Sequence, residues 1–264
     1  MTTRAITVGD VLRDWRARRR LSQLDLACAA EVSTRHLSFV ESGRAAPSRD
    51  LLLRLAAPLA MPLREQNRLL HVAGYAPVHG ERALDTPDMA AALAAVDTVL
   101  RAHAPFPALA VDRHWNLVCA NEAATALLVG IDPTLLTAPV NVLRATLHPN
   151  GLAPRIVNLA EWRHHLLARL RLEIDHSADP ALETLHAELN GFPCPASDRP
   201  PGPTERIAVP LSIRSGTSGS VLSFLSTTTV FGTATDVTLA ELTLECFYPA
   251  DDATRQALLA SSLA

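Results

Sequence analysis

SQLDLACAAEVSTRHLSFVESGRAAPS, residues 22–48, reads as two short helices joined by a tight turn and closed by a glycine. Ser22 followed three residues later by Asp25 is a short-armed capping box, so a helix is predicted over residues 23–30. Leu24, Leu26, Ala27 and Ala30 are its packing positions. Val32 falls in the turn, and Ser33 is the next N-cap. The following helix, residues 34–42, buries Leu37 and Val40 and leaves Arg35, His36 and Ser38 facing outward. Gly43 then supplies the left-handed residue that ends it.

The flanking sequence extends this pattern on both sides. Val8, Val11, Leu12 and Trp15 make one apolar stripe of an earlier helix, with Arg13 and Arg16 on its other face. Ser48 caps a fourth helix with Leu51, Leu52, Leu55 and Leu59. A fifth is expected over residues 63–71, before Gly74 and Pro77. Two helices separated by so short a turn, with small Ala27 at their crossing, form a geometry that lays the second helix in a DNA major groove.

These residues resemble the lambda-repressor-like, XRE family over residues 8–76, in which Ser-Gln opens the second helix and Glu-x-Gly closes the third. The resemblance implies that Ser22 and Gln23 meet phosphates. Thr34, Arg35, His36 and Ser38, on the helix capped by Ser33, would face base edges. Arg35 is the foremost candidate because arginine pairs bidentately with guanine. Arg44 would touch the backbone. Arg16 and Glu41 would tie the first helix to the third as a structural pair. Glu31 stands where the family often has glycine, so a positive φ is expected there at some cost.

The charge distribution agrees. The chain carries a net charge of −3 with no lysine, yet residues 1–80 hold 12 Arg against 7 acidic residues. The remainder holds 12 Arg against 20, so a basic head precedes an acidic body. The four cysteines form no CxxC pair, which speaks against a disulfide framework or a zinc knuckle; three of them lie in apolar stretches and are expected to be buried. No apolar run is long enough for a membrane span and the N-terminus has no export signal, so the cytoplasm is the expected location.

Residues 76–87 read as a loop. Thr86 and Pro87 then open a helix through Ala90, Leu93, Val96 and Leu100. The expected division is a head of residues 1–76, a linker and connecting helix over 77–104, and a body of residues 105–264. In the body, residues 108–112 and 117–120 form a hairpin around Arg113-His114-Trp115-Asn116, and Asn121 caps the next helix. Asn158 with Glu161, and Asp179 with Pro180, start two more. A proline-rich loop, FPCPASDRPPGP (residues 192–203), leads to a β-rich end. There Ile207, Val209, Leu211 and Ile213 alternate, followed by the strands SVLSFLSTTTVF (220–231) and VTLAELTLECFY (237–248). Five antiparallel strands with helices inserted on one side make an α+β, PAS-like domain behind a mainly α helix-turn-helix bundle. Such sheets often wrap an apolar pocket.

PALAVDRHWNLVCANEAATALL, NVLRATLHPNG, NLAEWRHHLLARLR and DPALETLHAELN resemble the MmyB-like ligand-binding domain that follows XRE-type heads. That resemblance implies a small apolar ligand such as a fatty acid. Candidate pocket residues are Trp115, Asn121, Trp162, Arg163, Phe224 and Phe231. The competing readings are ordinary core for the aromatics, a helix cap for Asn121 and a surface position for Arg163. No HExxH, GxSxG, P-loop or GxGxxG occurs, so neither an enzyme nor a metal site is expected.

The resulting expectation is a sequence-specific DNA-binding transcription regulator. Its partners would be a duplex operator, a small apolar effector and a second copy of itself, with no cofactor and no membrane. The alternatives are a ligand-independent dimeric repressor, and an antitoxin or protein-interaction module using the helical head.

Overall fold

The computed structural model describes residues 6–195, 209–216, 219–232 and 234–261. The start of the expected strand, Ile207 and Ala208, and most of the proline-rich loop, from Ala196 on, lie outside these. The chain divides into two compact units, one built on Met1–Glu81 and one beginning at Arg82.

The first unit holds α1 (Val8–Arg18), α2 (Gln23–Ala29), α3 (Thr34–Glu41), α4 (Arg49–Ala56) and α5 (Leu63–Val72). Side chains of Thr7, Ser22, Ser33 and Ser48 cap the first four helices by accepting backbone N–H bonds. The apolar stripes close on one core containing Leu12, Trp15, Leu26, Leu37, Leu52 and Leu70. Burying each leucine contributes about 1.5–3 kcal/mol. Leu24 is the exception, since 59% of it is exposed instead of packed.

Glu31 takes φ 54°, and this left-handed residue turns α2 toward α3. Gly43 ends α3 at φ 75°. Gly9 has another role: a Cβ there would run into the Glu41 carbonyl oxygen, so only glycine lets α1 approach the end of α3. The head also extends beyond the expected residue 76. Buried Asn67 accepts from the Val78 and His79 amides (both 3.1 Å) and donates to the His79 carbonyl (2.8 Å).

The second unit begins with α6 (Pro87–Ala102), then β1 (Ala108–Val111), β2 (Leu117–Ala120), α7 (Glu122–Leu127), α8 (Val142–Leu147), α9 (Leu159–Ser177) and α10 (Pro180–Asn190). It closes with β3 (Leu211–Arg214), β4 (Val221–Val230), α11 (Val237–Ala240), β5 (Thr243–Pro249) and α12 (Asp252–Ser261). The strands form one antiparallel sheet in the order β2-β1-β5-β4-β3. This is the expected α+β architecture.

Because side chains alternate across a strand, β1 and β5 present different residues to the two faces. Ala108, Ala110, Leu244 and Cys246 pack with Val96 and Leu100 of α6. Residues of the other alternation face α8, α9 and α10 in the larger core. Both faces are therefore covered, not one. The helix expected as a connector, α6, belongs to the body because its buried stripe has a sheet face to cover.

Other expectations change in detail. Val237–Ala240, expected as strand, is a helical turn preceding β5. Thr86 donates to the Ala83 carbonyl at 2.8 Å instead of capping α6. Asn158 binds Pro210 and Ser212, tying the start of α9 to β3 across the chain. Of the cysteines only Cys246 is buried, and all four are free. No described helix is long and apolar enough to cross a membrane.

Candidate DNA-reading face and ligand cavity

In the head, α3 is held from behind. Glu41, 3% exposed, accepts from Arg16 Nε (2.9 Å) and Nη2 (3.1 Å) and from Gln23 Nε2 (2.8 Å). The hydrogen bond to Glu41 raises the Arg16 guanidinium pKa against the opposing effect of burial. Arg13 adds a bond to the Glu41 carbonyl at 2.9 Å, so one carboxylate and its own backbone lock α1, α2 and α3 together. The expected Arg16–Glu41 pair is thus present.

The outward face of α3 carries exposed Arg35 and His36, with Thr34 and Ser38 half-buried beside them. Ser33 caps this helix by accepting from the His36 amide at 3.1 Å. Arg44 is exposed past the helix end. Phe39, which the sequence reading passed over, stands between the two arginines. Arg35 Cζ lies 5.4 Å from its ring centroid and Arg44 Cζ 6.0 Å. The ring face attracts both cations, so Phe39 orients them on one surface. The spacing of Arg35 and Phe39, one helical turn apart, was the available signal.

The two expected phosphate contacts at α2 are less open. The Ser22 hydroxyl donates to Asp25 Oδ2 at 2.6 Å and accepts from the Asp25 amide, so it is committed to the cap. The Ser22 hydroxyl and backbone N–H, both donating to it, hold the exposed Asp25 carboxyl below the usual aspartate range. Gln23 has its NH2 group turned to Glu41, since only a donor can face a carboxylate.

In the body, a narrow apolar cavity of about 70 Å3 opens between the sheet and α7, α8 and α9. An apolar cavity of about 150 Å3 takes up benzene, so this one suits a slender chain of a few carbons unless its walls shift. Leu109, Phe247 and Leu211 form its sheet side; Leu143, Trp162 and Leu166 form part of its helix side. Trp162, Leu166 and Arg169 reach it because they lie one turn apart along α9.

Of the six residues expected around a ligand, Trp115 and Trp162 line this cavity. Asn121 does not: its amide accepts from Ala108 and Ala124 and donates to Leu100 and Phe106, which makes it a buried structural hub. Arg163 donates to the Asn190 carbonyl at the end of α10 (2.6 Å), away from the cavity lining. Phe224 is fully buried core, edge-on to Phe247. Phe231 packs on the opposite sheet face with the α6 cluster.

The charged groups at the cavity were missed. Arg169 makes a two-pronged pair with Glu245 (3.0 and 2.6 Å) and lies 4.6 Å above the Trp115 ring. Trp115 Nε1 in turn donates to Glu173 at 2.7 Å, and Glu173 also accepts from Arg169 Nε at 3.3 Å. Burial pulls the Arg169 pKa down, but the bond to Glu245 and the charges of Glu245 and Glu173 more than reverse this. Burial pushes the Glu173 carboxyl above its usual value despite Trp115 and Arg169.

Residues 93–260 match the MmyB-like transcription regulator ligand binding domain, and residues 7–69 match a helix-turn-helix domain. The chain belongs to the MmyB-like transcription regulator family. It is a DNA-binding transcription regulator with a ligand-binding body. A search of curated proteins finds no match. In this MmyB-like regulator the family boundary near residue 93 falls within α6, consistent with that helix packing on the body's sheet.

Proposed function

We propose that this regulator is a one-component sensor acting in the cytoplasm. Its head reads a duplex operator through α3. Its body takes up a small apolar molecule of acyl type, such as a fatty acid or a derivative of one, and needs no other cofactor. Occupancy shifts the population competent to bind DNA. The observation that carries this reading is an apolar cavity, walled by Trp115 and Trp162, in the same chain as an exposed Arg35–His36 reading helix.

The protein acts as a homodimer in this proposal. One head reaches only a few base pairs, too little to compete with a genome of other sites. Two heads require half-sites about 34 Å apart or a multiple of that.

The test combines footprinting with a thermal-shift series, using fatty acids and their methyl esters of increasing length, with and without operator DNA. Stabilisation and a change in operator affinity should appear together, because linkage is reciprocal. A dimeric mass with a two-half-site footprint is expected. Operator binding unaltered by every compound that stabilises the protein would leave a ligand-independent repressor and overturn the sensor reading.

A further inference from the structure

Among the described residues the buried Trp162 indole N–H has no hydrogen-bond partner, although Trp162 is 3% exposed and lines the cavity. A buried donor left without an acceptor costs roughly as much as a lost hydrogen bond, so such groups are rare outside sites where a ligand supplies the partner. The cavity's other polar groups make a different demand. Among the described lining residues the charged ones are Arg169 and Glu245, and they neutralise each other. Glu173 stands behind them and shares Arg169. His165, whose ring is tilted 31° to that of Trp162 with centroids 5.3 Å apart, is held toward its neutral form by burial and by Arg169, against the pull of Glu245. Thr146 already donates to the Val142 carbonyl at 2.7 Å. Ser226 offers a hydroxyl that suits a neutral or a charged group.

A ligand carboxylate entering here would be a third anion beside a guanidinium already shared by two. It would have to displace Glu245, leaving that buried carboxylate unpaired. A neutral acceptor meets no such obstacle.

We propose that the cavity selects an uncharged apolar ligand carrying one hydrogen-bond acceptor, such as an ester, ketone or amide carbonyl, which receives the Trp162 indole N–H. The inference rests on the proposal that the body binds an acyl-type effector, and it narrows that effector to a neutral derivative instead of a free acid. Arg169, Glu245 and Glu173 act as a closed ion cluster that excludes anions.

The experiment uses the full-length protein and three probes of equal carbon number: pentane, diethyl ketone and pentanoate. Indole N–H resonances of the three tryptophans are followed by NMR. Diethyl ketone should move the Trp162 indole proton downfield; pentane should perturb the surrounding methyl groups without doing so, and pentanoate should bind more weakly than the ketone. In Trp162→Phe, affinity for the ketone relative to pentane should fall roughly three- to tenfold. The indole shift is read on the unaltered protein, so it stands even if that variant folds poorly.

Tighter binding of pentanoate than of diethyl ketone would overturn the inference and leave the sensor reading intact. So would ketone binding with no change at the Trp162 indole. Failure of all three probes to perturb any cavity resonance would overturn the inference together with the proposal that this cavity is the effector site.

Discussion

Glu41→Ala tests how α3 is held. The carboxylate accepts three hydrogen bonds from two helices, at 2.8, 2.9 and 3.1 Å, and its side chain is 2% exposed. Breaking a buried pair by removing one partner costs about 3–5 kcal/mol, most of it from the stranded charge. Arg16 keeps a bond to the Leu21 carbonyl (3.1 Å) and is 19% exposed, so water reaches it in part. The low end is therefore expected, about 3 kcal/mol. A domain of this kind has only about 5–15 kcal/mol in total, so the loss is large. Urea unfolding followed through the Trp15 indole resonance isolates the head within the full chain, because Trp15 lies in the head core. Arg16→Ala combined with Glu41→Ala should cost less than the sum of the two, with a coupling of about 2 kcal/mol. A loss under about 1 kcal/mol with no coupling would equate the pair with a surface ion pair and refute the argument.

Arg35→Ala should lower operator affinity by about 1–3 kcal/mol and relax base preference at one operator position, as read by binding to an operator mutant series. Gln23→Ala should weaken all sequences alike and also destabilise the head, because it removes a donor from Glu41; identical specificity profiles for the two variants would contradict the assignment of α3 as reader. Glu31→Gly should stabilise the head by about 0.5–1 kcal/mol, measured by denaturation, since glycine tolerates the φ of 54° that costs a residue with a Cβ. Asp179 caps α10 and pairs with His114 (2.9 Å) and Arg113 (3.4 Å). Burial pushes its carboxyl up, but the Ala181 amide, His114 and Arg113 outweigh that and hold it low. Its ionised form therefore stabilises the fold at neutral pH, and that contribution is lost as pH falls through the depressed value. Asp179→Asn should cost about 0.5–1 kcal/mol at pH 7, with melts of the two proteins converging in acid; a pH-independent difference would count against the ion pairing.

Local rules made much of the molecule legible before any coordinates. The caps at Ser22, Ser33 and Ser48, the left-handed positions at Glu31 and Gly43, and the stripe from Val8 to Trp15 each depend on residues within a turn or two. The hairpin around Trp115 and the cap at Asn121 were legible for the same reason. Local chemistry also showed that Arg35 and His36 face outward, because Leu37 and Val40 occupy the buried side of the same short helix.

Tertiary structure decided what depends on residues far apart in the chain. Gly9 matters because the Glu41 carbonyl arrives beside it, and no periodicity in α1 announces that approach. Arg169 and Glu245 are 76 residues apart, and each alone reads as a surface charge on an amphipathic element. They meet because alternation along β5 turns Glu245 to the helix side of the sheet while α9 carries Arg169 over it. Phe231 and the α6 stripe pack on the opposite face, and Asn121 becomes a hub whose donors and acceptors are satisfied by backbone groups that the fold brings to it. The cavity is likewise a property of how α7, α8 and α9 pack across the sheet: side-chain volumes are written in the sequence, but the gap between them exists only once the elements are in register.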